Sequence, residues 1–206
     1  MQVCVNSTAF SAATQTTGVR RPSEAGSLLR SPFLADARIL RTRIRRNIEQ
    51  ARPAVGRHAD RDSMLALLAD LLSMEIICVL RYRRYRFATP RSLGPANATD
   101  FVAHADEEQE HADRIAERIF LMGGEPDFSP SGLESRSQSA YLAAKPMVDL
   151  IKEDMIAECI AMDSYRDVIH HFGEHEPVTR KILETILAAE EKHAVELADL
   201  LQCLPA

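Results

Sequence analysis

A chain of 206 residues is long enough for one domain with a full core and some length to spare. With 46% hydrophobic and 27% charged residues, only eight glycines and no tryptophan, it suits a helical protein better than a turn-rich β-sandwich. A net charge of −5 argues against a general nucleic-acid binder, although arginines crowd the first 50 residues and the remainder is acidic. Cys4, Cys78, Cys159 and Cys203 lie too far apart for a zinc knuckle or a CxxC pair and read as free thiols in a reducing compartment. No apolar run approaches the ~20 residues of a membrane-spanning helix, so no membrane is expected.

In chain order, residues 1–34 are rich in Ser, Thr, Ala and Arg and hold one acid, Glu24. They read as a disordered tail, with organelle targeting as the competing reading and a cytoplasmic location as the expectation. Residues 35–58 form a second segment. Ala37 to Ala51 sets Ile39, Leu40, Ile44 and Ile48 among arginines and predicts a short amphipathic surface helix, broken by Pro53 and Gly56. The third segment, 59–206, holds four long helices. Asp60 to Phe87 carries Leu65, Leu68, Leu71, Leu72, Cys78, Val79 and Tyr82 at the spacing of a buried face, and Thr89-Pro90 and Gly94-Pro95 stop it. The next begins at a cap, Asn97 or Thr99, and ends near Met122 before Gly123-Gly124. A connection of about 20 residues follows. The third long helix runs from about Lys145 to Phe172, and the fourth from Glu176-Pro177 to about Cys203.

Helices of about 26–30 residues span ~40 Å. Short turns make the first two antiparallel, and likewise the last two. The middle connection, at ~3.3 Å per residue, reaches from one end of a bundle to the other and leaves the second and third long helices parallel. The expected fold is therefore all-α: a four-helix bundle with one long crossover and an extra N-terminal helix.

Each long helix places a carboxylate inside its apolar stripe: Glu75, then Glu108 with His111, then Glu158, then Glu190 with His193. Burying a lone carboxylate costs several kcal/mol, and four facing inward repel one another. Two divalent cations would supply the missing positive charge. Side chains three apart on a helix point the same way, so each Glu-x-x-His offers an oxygen and a nitrogen to one ion. Such a donor set suits iron or manganese. One Glu-x-x-His is weak, since both residues are common on solvated faces. Two of them, alternating with single stripe carboxylates, match the order of the di-iron carboxylate bundles.

From about residue 63 to 203 the chain resembles the bacterioferritin branch of the ferritin-like superfamily. The resemblance rests on Leu72-Ser73-Met74-Glu75 with Arg81-Tyr82, on Glu107-Glu108-Gln109-Glu110-His111-Ala112-Asp113-Arg114, on Ala157-Glu158 with Tyr165-Arg166, and on Glu190-Glu191-Lys192-His193. It implies a ferroxidase that oxidises Fe(II) with dioxygen or peroxide at a di-iron centre, in iron storage or homeostasis. By position, Glu75 and His111 would hold one iron, Glu158 and His193 the other, and Glu108 and Glu190 would bridge. Gln109 stands where haem-binding relatives carry a methionine, so no haem is expected. The sequence lacks the short fifth helix of shell builders after the fourth, so a homo-oligomer is expected but a 24-subunit shell is doubtful. A non-storage di-iron oxidase or peroxidase in stress defence, and a non-enzymatic bundle stapled by metal, are the alternatives. Among neighbours, His104 reads as an accessory ligand or a gate for iron, or as a partly exposed histidine. Tyr82 and Tyr165 read as hydrogen-bond donors to the ligands, as electron sources, or as core tyrosines. Asp154 reads as a group orienting a ligand histidine, and the run Arg81 to Arg86 as a solvated face or as a surface pairing with acids of a partner subunit.

Overall fold

The structure, a computed structural model, describes residues 32–50, 57–88, 94–129, 147–173 and 176–203. They form five helices: α1 (Pro32–Gln50), α2 (Arg57–Ala88), α3 (Gly94–Leu121), α4 (Met147–Phe172) and α5 (Pro177–Cys203). Among the described residues there is no strand. The tail expected over 1–34 lies outside the described residues except at its end, where Pro32 opens α1.

The pairings across helices give the topology. Arg61 Nε donates to Met122 O (2.6 Å) while Arg83 meets Asp106 at 2.7 Å, so α2 and α3 are antiparallel. Tyr82 reaches Glu158 and Tyr165 reaches Glu75, so α2 and α4 are antiparallel as well. Helices α3 and α4 must then be parallel, as the long connection requires. Arg118 meets Glu176, and His104 meets Glu196, so α5 runs antiparallel to α3. The four long helices thus run up, down, down, up, as two antiparallel hairpins joined by one crossover.

Helix α2 packs against α1, α3 and α4. It therefore buries residues on more than one face, among them Leu67, Leu68, Leu71, Leu72, Met74 and Tyr82. That demand makes Arg61–Phe87 apolar and long enough to cross a membrane by composition and length, against the expectation from uninterrupted apolar runs. More than half of its most apolar window is buried inside the fold. The core continues through Ile115 and Ile119 of α3, Val168 and Phe172 of α4, and Leu183 and Ile186 of α5.

The breaks fall where backbone chemistry puts them, with one correction. Gly94-Pro95 opens α3 rather than only stopping α2, because proline in a first turn lacks only an N–H that has no helical partner. Gly123 adopts φ 75°, with its N–H on Phe120 O (2.8 Å) and that of Gly124 on Ile119 O (2.9 Å), which caps α3. A Cβ on Gly124 would come within 2.8 Å of Leu65 and 2.9 Å of Ile119, so a larger residue there would have to push these side chains aside where the end of α3 meets α2.

Helix α1 is more than the short surface helix expected. Leu34, Ala37, Leu40 and Ile44 are buried, and Leu40 and Ile44 join the bundle core. Its arginines bind acids of the helices beneath. Arg41 meets Asp167 (3.2 Å), Arg45 meets the same carboxylate (3.4 Å), and Arg43 pairs with Asp70, which also accepts from Asn47 Nδ2 (3.0 Å). Arg41, Arg43 and Arg45 thus tie α1 to α2 and α4.

Candidate metal centre

The stripe carboxylates turn inward because each lies on the same helical face as its helix's buried apolar residues. Glu75, Glu108, Glu158, Glu190, His111 and His193 are all buried. Their donor atoms form two overlapping groups, Glu75, Glu108, His111 and Glu190, and Glu108, Glu158, Glu190 and His193, each within 4.8 Å. Within the first, His111 Nδ1 is 3.4 Å from Glu75 Oε2, 3.4 Å from Glu108 Oε2 and 2.9 Å from Glu190 Oε1. Within the second, His193 Nδ1 is 3.2 Å from Glu108 Oε1 and 3.4 Å from Glu190 Oε2. Glu108 and Glu190 therefore each turn one oxygen to either half.

These atoms approach one another without hydrogen bonding. Glu75 Oε2, Glu108 Oε1, His111 Nδ1, Glu158 Oε2, both oxygens of Glu190 and His193 Nδ1 are buried and have no hydrogen-bond partner. Buried polar atoms are ordinarily satisfied, so this concentration of orphans marks a place shaped for a ligand. Two cations coordinated by oxygen and imidazole nitrogen fit it.

The electrostatics point the same way. Burial, and then the charges of Glu190 and Glu108, push the Glu75 and Glu158 carboxyls well above the usual carboxylate range. Burial would raise Glu190 too, but His111 and His193 hold it well below that range. Burial alone would lower the imidazoles. The facing carboxylates overcome it, raising His111 well above an ordinary histidine and His193 to about 12. Without metal, protons on these groups balance the buried charge.

Around this centre, Tyr82 of α2 donates to Glu158 Oε1 of α4, and Tyr165 of α4 donates to Glu75 Oε1 of α2. Each tyrosine, seven residues beyond its own helix's glutamate, serves the other helix's. His104 belongs to neither donor group. Its Nε2 meets Glu196 Oε2 at 2.9 Å, and its ring lies 4.6 Å from that of His193. Gln109 is half-buried and donates to Asp113 (2.9 Å).

Two expectations are corrected. Asp154 orients no histidine: it pairs with Arg81. Arg81 is accordingly buried rather than part of a solvated face, and Asp154 is the largest influence holding it cationic against burial. Neither Cys78 nor Cys159 forms a disulfide. Cys78 is buried, and burial with the four nearby carboxylates pushes its thiol well up, which makes it an inert neighbour.

Sequence reasoning missed Glu107 and Glu196. Glu107 Oε2 lies 2.8 Å from His193 Nε2, on the far side of the ring from the donor groups. The Glu107-Glu108 doublet shows two carboxylates on adjacent faces. Only the rotation of α3 against α5 decides that the first supports a histidine of the other helix.

The sequence profile described as Ferritin-like domain matches residues 65–206. No curated protein matches the chain. Among solved structures, the chain resembles the bacterioferritin of Desulfovibrio desulfuricans, at 19% identity and a TM-score of 0.61, over 72% of this chain and 84% of that one. It also resembles the dodecameric thioferritin of Bacteroides fragilis, a bacterioferritin-related protein, at 24% identity and a TM-score of 0.62, over 82% of this chain and 93% of that one.

Proposed function

This chain belongs to the ferritin-like domain family, and we propose that it binds two iron ions between its helices and acts as a ferroxidase, oxidising Fe(II) with dioxygen or peroxide. The observation that carries the reading is the division of Glu108 and Glu190, one oxygen toward His111 and the other toward His193. A carboxylate arranged so can bridge two cations. Glu75 and His111 complete one half, Glu158 and His193 the other. Manganese is compatible with the same donors. The diiron site of the Desulfovibrio desulfuricans bacterioferritin supports iron.

A bound iron pair would supply two electrons to the oxidant. The rest falls to the side chains. His111 and His193 must release a proton from Nδ1 before that nitrogen can bind a cation, and Glu75 and Glu158 must lose theirs, so loading expels protons. Tyr82 and Tyr165 fix one oxygen of each terminal carboxylate and leave the other, Oε2, directed at the centre. The apolar residues above and below keep water out and strengthen each charge interaction.

The test is anaerobic Fe(II) loading followed by air, with Fe(III) absorbance in the near ultraviolet as the signal. Wild type should oxidise two Fe(II) per chain in a fast phase. A Glu108→Ala, Glu190→Ala variant should be slower by more than ~100-fold, exceeding the loss from a group that only supports a ligand. Equal rates in the two proteins would remove the ferroxidase role.

A further inference from the structure

On the α3/α5 side of the centre lies a cavity of about 440 Å³ whose lining includes Phe101, His104, Glu107, Lys192, Glu196 and Leu200. It adjoins the candidate ligands directly, since Glu107 is hydrogen-bonded to His193 and the His104 ring lies tilted against the same ring. At its mouth a cation is already in place. Lys192 Nζ lies 3.5 Å from Glu107 Oε1 and 3.4 Å from Glu196 Oε1, between two carboxylates that would otherwise attract a metal ion. Behind them His104, with a side chain 7% exposed, has its Nδ1 buried without a hydrogen-bond partner.

We propose that Glu107, Glu196 and His104 form a receiving station for divalent cations on their way to the centre, and that Lys192 is its gate, occupying the two carboxylates until an incoming cation displaces its ammonium group. The proposal rests on the di-iron reading above. The physical argument is competition. A single ammonium held by two half-exposed carboxylates is bound weakly, because water screens such pairs and holding a lysine in one geometry costs side-chain entropy. A divalent ion carries twice the charge and can be ligated by both carboxylates, so it displaces Lys192 readily, whereas a monovalent ion gains little by doing so. The gate would favour divalent over monovalent cations without a rigid ligand cage. His104 then offers the nearest nitrogen on the path to His193.

The experiment follows Co(II) binding to the full-length metal-free protein by stopped-flow absorbance, without oxidant. Lys192→Gln should bind Co(II) at least ~5-fold faster than wild type, and Glu196→Gln slower by a similar factor, as local charge at a binding mouth sets the association rate. Lys181→Gln, on the same helix but away from the cavity, should match wild type. Lys192→Gln binding at the wild-type rate would overturn the gate, as would Lys181→Gln accelerating binding as much. Wild type that never takes up two Co(II) per chain would remove the centre and the gate with it. Full uptake with a rate indifferent to Lys192 would remove the gate alone.

Discussion

The His111 half and the His193 half of the centre share their inner parts and differ in what stands behind them. Each has a glutamate held by a tyrosine from the facing helix, and each draws one oxygen from Glu108 and one from Glu190. Behind His193 stands Glu107, then the cavity with His104, Glu196 and Lys192. Among the described residues no carboxylate is hydrogen-bonded to the outer nitrogen of His111. The inner likeness follows from two hairpins that each bring one glutamate and one Glu-x-x-His. The outer difference depends on which residues of α3 and α5 happen to face one another. Two ions bound there would thus meet matched donors while their positions differ in strength and in access.

The most severe way to break the matched part is to remove a residue that serves both halves. Glu190→Ala should leave purified, metal-reconstituted protein with far less than one ion per chain, whereas Glu75→Ala should retain close to one. Elemental analysis after dialysis measures this, and equal losses in the two variants would mean that Glu190 bridges nothing. The unmatched part is broken by Glu107→Gln. Loss of a carboxylate behind a ligand histidine costs ~10–100-fold in metal affinity. In a calorimetric titration with Mn(II) or Co(II), one binding step should weaken by about that factor and the other should hold. Two steps that shift together would show that the halves do not differ in the way their surroundings suggest.

Protons sharpen the comparison between empty and filled states. The folded-state pKa of His193 is raised from 6.5 to about 12, and that of His111 is raised as well. A raised histidine contributes stability that is complete below pH 6.5 and is lost as pH climbs toward the folded value. Glu75 and Glu158, also raised, act in the same direction from pH 4.5 upward. Glu190 is lowered, so its contribution is present above pH 4.5 and is lost only in acid. Metal-free protein should therefore lose thermal stability between pH 6.5 and 8.5. Because the ion competes with those protons, the rise in Tm on metal addition should grow over the same interval. Calorimetric melts at the two pH values check it, and a metal-induced rise that shrinks with pH would contradict the proton inventory.

Much of this was legible in the sequence because it depends on one helix at a time. The apolar period of α2, the Gly123-Gly124 cap and the long connection before α4 give the bundle, and the repeated Glu-x-x-His gives the facing of four candidate ligands. What was not legible depends on two helices meeting. Arg81 reads as one of a run of arginines, and only the approach of α4 buries it against Asp154. Glu107 differs from Glu110 only in lying opposite His193. Helix α1 reads as amphipathic in either setting, and its docking depends on acids more than 20 residues away at Asp70 and more than 100 away at Asp167. Period and composition carry no information on such pairings, since helix rotation and register are set by packing as a whole.

The tyrosines give the smallest effect and the most direct check on the symmetry. Tyr82 and Tyr165 are both fully buried, and each donates to a carboxylate across the α2/α4 seam. Replacing either by phenylalanine keeps the ring's packing and removes one hydrogen bond, which lowers stability by about 1 kcal/mol. If the halves match internally, Tyr82→Phe and Tyr165→Phe should cost the same within error in urea unfolding of the metal-free protein. The two sites share no hydrogen bond, yet both act on carboxylates coupled through Glu190, so the double variant should depart from simple additivity. Addition of metal should restore part of the loss, because a cation takes over from the phenol in fixing the carboxylate. Unequal single costs would place the asymmetry inside the centre rather than behind His193. Strict additivity with no rescue by metal would make the tyrosines ordinary core residues that happen to touch a glutamate.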